Sequence, residues 1–139
     1  EYAGDMTPQQ AWQILEDEPD ATLIDVRTKM EWQLIGQPDL SALSKEPIYL
    51  EWVTTGGINK NFVPELAAAL EERHLPKDAP LLFMCQSGGR SKVAAMQCTE
   101  LGYSRCHNLA EGFEGDLDDN KHRNSISGWK FAGMPWAQA

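Results

Sequence analysis

Pro80-Leu81-Leu82-Phe83-Met84-Cys85-Gln86-Ser87-Gly88-Gly89-Arg90-Ser91 is the stretch on which the fold turns. Its first five residues are the most apolar run in the chain. They read as a central strand covered on both faces, as in a parallel sheet. The run reaches Cys85, passes through Ser87-Gly88-Gly89, and gives way to a helix from about Arg90 through about Leu101, closed by Gly102. Strand, tight turn and helix in that order set a cysteine at the carboxyl end of a strand. Open α/β sheets bind their ligands at such ends.

Working outward, residues 21–26 (ATLIDV) are a second nearly continuous apolar run and read as a neighbouring strand. Before it, Thr7-Pro8-Gln9-Gln10 combines an N-cap, a proline at the first helical position and a capping-box glutamine. Ala11, Trp12, Ile14 and Leu15 then give one apolar stripe, ending near Pro19. After it, Thr28-Lys29-Met30-Glu31 is another capping box. It starts a short helix through about Leu34 that Gly36-Gln37-Pro38 breaks. Residues 48–52 read as a strand and 54–61 as a polar loop. Residues 62–74 read as an amphipathic helix with Val63, Leu66, Ala69 and Leu70 on one side, stopped by Pro76. Residues 105–109 read as a last strand, and Phe113, Trp129, Phe131 and Trp136 predict that the tail packs as a wrap. Strands alternating with helices predict an open, mostly parallel α/β sheet with helices on both faces. One domain over 1–139 is expected, with its core at about 6–115 and the wrap at about 116–139.

A chain of 139 residues buries a real core without disulfide or metal staples. No stretch approaches the roughly 18 consecutive apolar residues that span a bilayer. Glu1-Tyr2-Ala3-Gly4-Asp5 carries neither a basic nor an apolar leader segment, so no secretory signal is expected. The net charge of −9 repels phosphate backbones and anionic headgroups, so neither nucleic acid nor membrane is an expected partner. A local field can still oppose the global one and admit a small anion. Three cysteines are too few for a disulfide framework. They suit a reducing compartment, and a cytoplasmic location is expected. His74, His107 and His122 lack metal-ligand spacing, so neither a metal nor a cofactor is called for.

The loop from Cys85 to Ser91 carries the chemistry. Gly88 and Gly89 let backbone N–H groups turn inward into a concave nest. The helix N-terminus adds partial positive charge at the same place. A cysteine facing that nest is expected to be held largely as thiolate near neutral pH. Arg90 offers a cationic fork for oxyanions, and Ser87 and Ser91 can donate hydrogen bonds to the sulfur. Such a site suits a nucleophilic thiolate meeting a small anionic reagent. The plainer alternatives are a buried structural thiol at Cys85 and a surface residue at Arg90. For Cys98, in a helix, and Cys106, in a strand, core packing is favoured.

The run Cys85-Gln86-Ser87-Gly88-Gly89-Arg90-Ser91 resembles the active-site loop of rhodanese domains, in the Cys-x-Ser-Gly-x-Arg-Ser form of single-domain members. Leu23-Ile24-Asp25-Val26-Arg27, continued by Glu31-Trp32 and Gly36, is similar to that family's first signature. Asn108-Leu109-Ala110-Glu111-Gly112-Phe113 resembles the segment after its last strand, and Gly128-Trp129 through Pro135-Trp136 a tail of bacterial members. Together these cover about residues 6 to 136. The chain departs from the pattern at Gly36-Gln37-Pro38-Asp39-Leu40, where the family has Gly-His-Ile-Pro-Gly-Ala.

The resemblance implies a five-stranded sheet and a sulfurtransferase. Cys85 would take sulfane sulfur from a donor such as thiosulfate as a persulfide, held by the loop N–H groups and Arg90. It would pass that sulfur to cyanide, a thiol or a protein acceptor. Asp25 and Arg27 match positions that brace the site. A phosphatase is the rival enzyme, but rhodanese-like phosphatases have five residues between Cys and Arg, and this loop has four. A persulfide carrier without turnover, or a regulatory binding module, is the other alternative.

Overall fold

The computed structural model describes residues 1–138. In chain order the elements are β1 (Asp5–Met6), α1 (Pro8–Asp17), β2 (Thr22–Asp25), α2 (Lys29–Leu34), β3 (Gln37–Pro38), β4 (Ile48–Tyr49), β5 (Val53–Thr54) and β6 (Gly57–Ile58). They continue with α3 (Phe62–Glu72), β7 (Leu81–Met84), α4 (Gly89–Glu100), β8 (Cys106–Leu109) and β9 (Trp136–Ala137). Five strands form one sheet in the order β1-β8-β7-β2-β4, with every pairing parallel.

The central strands β2 and β7 are buried at every residue. Their side chains alternate between two hydrophobic clusters, as the two-residue period of a strand requires. Ile24, Leu81 and Phe83 meet Phe62, Leu66 and Leu70 of α3 and Ala94, Ala95 and Cys98 of α4 on one face. Leu23, Leu82 and Met84 meet Ala11 and Leu15 of α1, with Phe113 and Trp129, on the other. Helices therefore cover both faces, which is why these strands are apolar throughout and not alternating.

Both capping boxes form. Thr7 and Gln10 satisfy each other's backbone N–H at the start of α1, and Thr28 and Glu31 do so at α2. Helix α3 ends at Glu72, and His74 beyond it takes a left-handed conformation, φ 56°. Residues 54–61, expected as a loop, hold part of a small antiparallel hairpin, β5 with β6.

The fifth strand of the sheet is β1, two residues with no apolar periodicity. It is drawn in by backbone bonds, Ala3 N–H to Cys106 O at 2.7 Å and Asn108 N–H to Gly4 O at 3.0 Å. The departure at Gly36-Gln37-Pro38 also has a structural role, because β3 pairs antiparallel with the C-terminal strand β9. A side chain at Gly36, φ 124°, would press on the Ala137 carbonyl and the Trp136 ring, both 3.0 Å away. The tail wraps as expected at Phe113 and Trp129, which are fully buried, but Phe131 is 52% exposed and contributes little to the core. Among the described residues, no helix is long and apolar enough to cross a membrane.

Candidate active site

Cys85 lies one residue beyond the end of β7, between the ends of β2 and β8. Gly88 adopts φ 102° as the N-cap of α4, a conformation open to glycine at little cost. That turn aims two backbone donors at the sulfur. The Gly88 N–H reaches Sγ at 3.2 Å and the Ser91 N–H at 3.4 Å.

The Ser91 hydroxyl is 3.3 Å from the same sulfur and 2.6 Å from Asn108 Oδ1. Asn108 Nδ2 donates to the Gly88 carbonyl at 3.2 Å, which turns its Oδ1 toward Ser91. A serine hydroxyl has one hydrogen to give. Asn108 Oδ1 and the Cys85 sulfur both lie within reach of that hydroxyl as acceptors, the oxygen at the shorter distance. Ser91 turns both its backbone N–H and its hydroxyl toward the sulfur, and Asn108 orients the hydroxyl. Cys85 is 1% exposed, but amides and a hydroxyl surround its sulfur, not hydrocarbon alone.

The loop rests on residues 110–114. Phe113 N–H donates to the Cys85 carbonyl at 2.9 Å and Glu114 N–H to the Gln86 carbonyl at 3.0 Å. The Gln86 side chain turns away from the sulfur and donates to Glu114 Oε1 at 3.1 Å. At Gly112, φ 67°, a Cβ would sit 2.6 Å from Ser87 N and overlap the Gln86 carbonyl, so this close approach requires glycine. The Ser87 hydroxyl, expected to donate to the sulfur, makes no side-chain hydrogen bond among the described residues, and Gly89 is exposed.

Arg90 reaches across to α2. Its Nη1 and Nη2 form a bidentate pair with Glu31 at 3.0 and 3.1 Å, so that end of its fork is engaged by a carboxylate. Glu31 is itself anchored by its capping contacts to the Thr28 N–H and hydroxyl. Burial pushes the Glu31 carboxyl up, but Arg90 and Thr28 outweigh it, and the net position is below the ordinary carboxylate range. Burial likewise lowers the Arg90 guanidinium, while Glu31 and, more weakly, Cys85 raise it above its usual value. An end-on pair uses Nη1 and Nη2 and leaves the Nε donor of the guanidinium unspent.

Asp25 and Arg27, at the end of β2 and just beyond it, are wholly buried. Arg27 Nε and Nη2 hold Asp25 at 3.0 and 2.9 Å, and Nη2 also reaches the Gly36 carbonyl at 2.8 Å. The guanidinium lies 4.1 Å from the centre of the Phe113 ring, next to the residues that carry the Cys85 loop. Cys98 and Cys106 are both fully buried, and each thiol bears on the other's ionisation. The hydrogen bond from Cys106 and then burial push Cys98 up. They belong to the core, as expected.

Two contacts of the loop were missed in the sequence. Glu31 was read as a cap and within the first signature, and Asn108 within the last strand and the segment after it, neither as a partner of Arg90 or Ser91. Nothing local marks either as a neighbour of the loop.

The strand-to-helix loop on a five-stranded parallel sheet defines a rhodanese-like domain. The chain belongs to the family described as the STR4 middle domain, whose model matches residues 3–139. It is similar to the crystal structure of Rv0390 from M. tuberculosis, at 46% identity and a TM-score of 0.88, covering 100% of both chains. A rhodanese-related protein from Thermoplasma volcanium shares the fold, at 17% identity and a TM-score of 0.55, over 97% of this chain and 98% of that one. An uncharacterized protein of Rickettsia conorii is 36% identical over 91% of this chain and 90% of its own length. The thiosulfate sulfurtransferase GlpE of Glaesserella parasuis is 27% identical over 80% of this chain and 83% of its own.

Proposed function

We propose that the protein is a sulfurtransferase that carries sulfane sulfur on Cys85. The observation that supports this most is the pair of inward N–H groups, Gly88 at 3.2 Å and Ser91 at 3.4 Å from Sγ, at the start of α4. Fixed amide donors and a helix N-terminus stabilise negative sulfur without reorganising when the charge forms. The Cys85 thiolate attacks the outer sulfur of thiosulfate. The bond between the two thiosulfate sulfurs breaks, and sulfite leaves with the electron pair. The new terminal sulfur carries the negative charge toward the loop amides and the Nε side of Arg90. An acceptor thiolate or cyanide then attacks that terminal sulfur, and the electrons of the persulfide bond return to Cys85. Two half-reactions sharing one covalent intermediate give ping-pong kinetics.

The test is intact mass after incubation with thiosulfate. Wild type is expected to gain one sulfur atom that cyanide removes, and Cys85→Ser to gain none. Sulfur loading by Cys85→Ser overturns the assignment. A carrier that loads without turnover is the second reading, favoured by the near-complete burial of the sulfur and the filled fork of Arg90. Steady-state turnover of thiosulfate and cyanide above one equivalent per chain removes it.

A further inference from the structure

One buried side chain holds both residues whose N–H groups face the Cys85 sulfur. Asn108 stands on β8, level with Phe83 of β7 and Asp5 of β1, and is 2% exposed. A buried amide is costly unless its donor and acceptor ends are both hydrogen-bonded, and here both are. Nδ2 donates to the Gly88 carbonyl at 3.2 Å and to Asp5 Oδ1 at 3.4 Å. Oδ1 accepts from the Ser91 hydroxyl at 2.6 Å. Tyr2 Oη donates to the same Asp5 oxygen at 2.7 Å. Two acceptors on the Nδ2 side fix which way the amide lies, because turning it over would set oxygen against oxygen twice. Asn108 therefore grips Gly88 and Ser91 together, at the two points where their amides reach Sγ.

The Ser91 hydroxyl sits between two acceptors, Asn108 Oδ1 at 2.6 Å and Sγ at 3.3 Å. Which of them is stronger depends on the stage of a sulfur-transfer cycle. In the persulfide the negative charge lies on the outer sulfur, and the bonded Sγ is a weak acceptor beside an amide oxygen. Once the outer sulfur is taken, Sγ is an anion, and hydrogen bonds to an ion are the stronger ones. Rotation of the O–H bond alone carries the hydrogen from Oδ1 to Sγ, with no heavy atom moved. Without Asn108 the hydroxyl would be free to bond back to a carbonyl of its own helix, as serines within helices do.

We propose that Asn108 is a positioning residue that keeps the Ser91 hydroxyl beside Sγ, ready to donate as Cys85 departs as thiolate. The inference rests on the sulfur-transfer reading above and assigns the pair to its second half-reaction. There cyanide or an acceptor thiolate bonds to the outer sulfur. The bond from that sulfur to Sγ breaks, and its electron pair stays on Sγ. The Ser91 hydrogen turns toward that charge and remains bonded to oxygen. Loading depends on the pair less. A thiolate deprived of a hydrogen bond forms less readily but attacks more strongly, and the two effects offset each other.

The experiment uses the full chain and follows two rates by quenched intact mass, loading from thiosulfate and discharge by cyanide. Asn108→Leu keeps the bulk of the side chain and removes both ends of the amide. It is expected to slow discharge about tenfold, the loss of one hydrogen bond to an ion, and loading by less than about threefold. Ser91→Ala is expected to match it, and the double variant N108L/S91A to discharge within about twofold of S91A alone. The Gly88 carbonyl keeps its bond from the Lys92 N–H at 3.3 Å, so its loss of Asn108 adds no separate effect. Asp5 is exposed, so Asp5→Ala leaves the core intact while removing one of the two acceptors that orient the amide. It is expected to slow discharge about threefold in the wild-type background and not at all in S91A, and it decides the matter if N108L does not fold. Effects of N108L and S91A that multiply, equal slowing of loading and discharge, or discharge that neither N108L nor D5A changes overturns the assignment. A wild-type chain that takes up no sulfur overturns the sulfur-transfer reading instead.

Discussion

At the scale of single residues, the site depends on which groups have a donor or acceptor left to give. The backbone amides of Gly88 and Ser91 face the sulfur, together with the Ser91 hydroxyl that Asn108 also holds. Glu31 is spent in the same way on Arg90 and on Thr28. Its carboxyl is held below its ordinary range, so the pair is intact at neutral pH. A depressed folded pKa contributes stability above the unfolded value of about 4.3 and loses it as pH falls through the folded value. Glu31→Gln is therefore expected to be less stable than wild type at pH 7, with the gap closing as pH is lowered toward 3. Urea unfolding at a series of pH values checks this. A gap that widens in acid contradicts it.

At the scale of elements, the helices that sequence reasoning located carry their signals within a few residues of chain. The capping boxes of α1 and α2 span three residues, and the stripe of α3 repeats every turn, so spacing along the chain reports them. The strap β9 has no such signature. It is held by β3, by the edge contact of Trp136 with Phe113 at 6.3 Å, and by Lys130, whose ammonium lies 3.9 Å from the Trp136 ring. Arg27 covers the Phe113 ring too, so the strap is part of a column of cations and aromatics ending beside the Cys85 loop. Trp136→Ala is expected to cost about 1–2 kcal/mol from the lost ring contacts and cation–π attraction, read from the midpoint of urea unfolding. A change below a few tenths of a kcal/mol by that measurement would mean that the strap adds little.

At the scale of the whole molecule, one sheet divides two hydrophobic clusters that share β2 and β7. Trp12 and Trp129 belong to the α1 side, and Trp52 packs on the α3–α4 side. Because the strands are common to both, loss of one cluster removes the support of the other. Leu66→Ala, fully buried on the α3 side, is expected to cost about 2–5 kcal/mol. Tryptophan fluorescence and far-UV circular dichroism are expected to shift together in a single transition. Transitions separated between the two probes would show that the faces unfold independently.

The amino-acid sequence alone determined the alternation of strands and helices, the burial of β2 and β7 on both sides, and the strand-turn-helix loop that carries Cys85. Each follows from residues adjacent in the chain, whose spacing states what they will do. The tertiary structure decided the rest. Arg90 meets Glu31 from 59 positions away, Ser91 meets Asn108 from 17, and β1 and β9 find their partners across the chain. Such pairings depend on sheet register and on which helix covers which face, and a polar residue gives no local sign of the distant group that will claim its hydrogen bond.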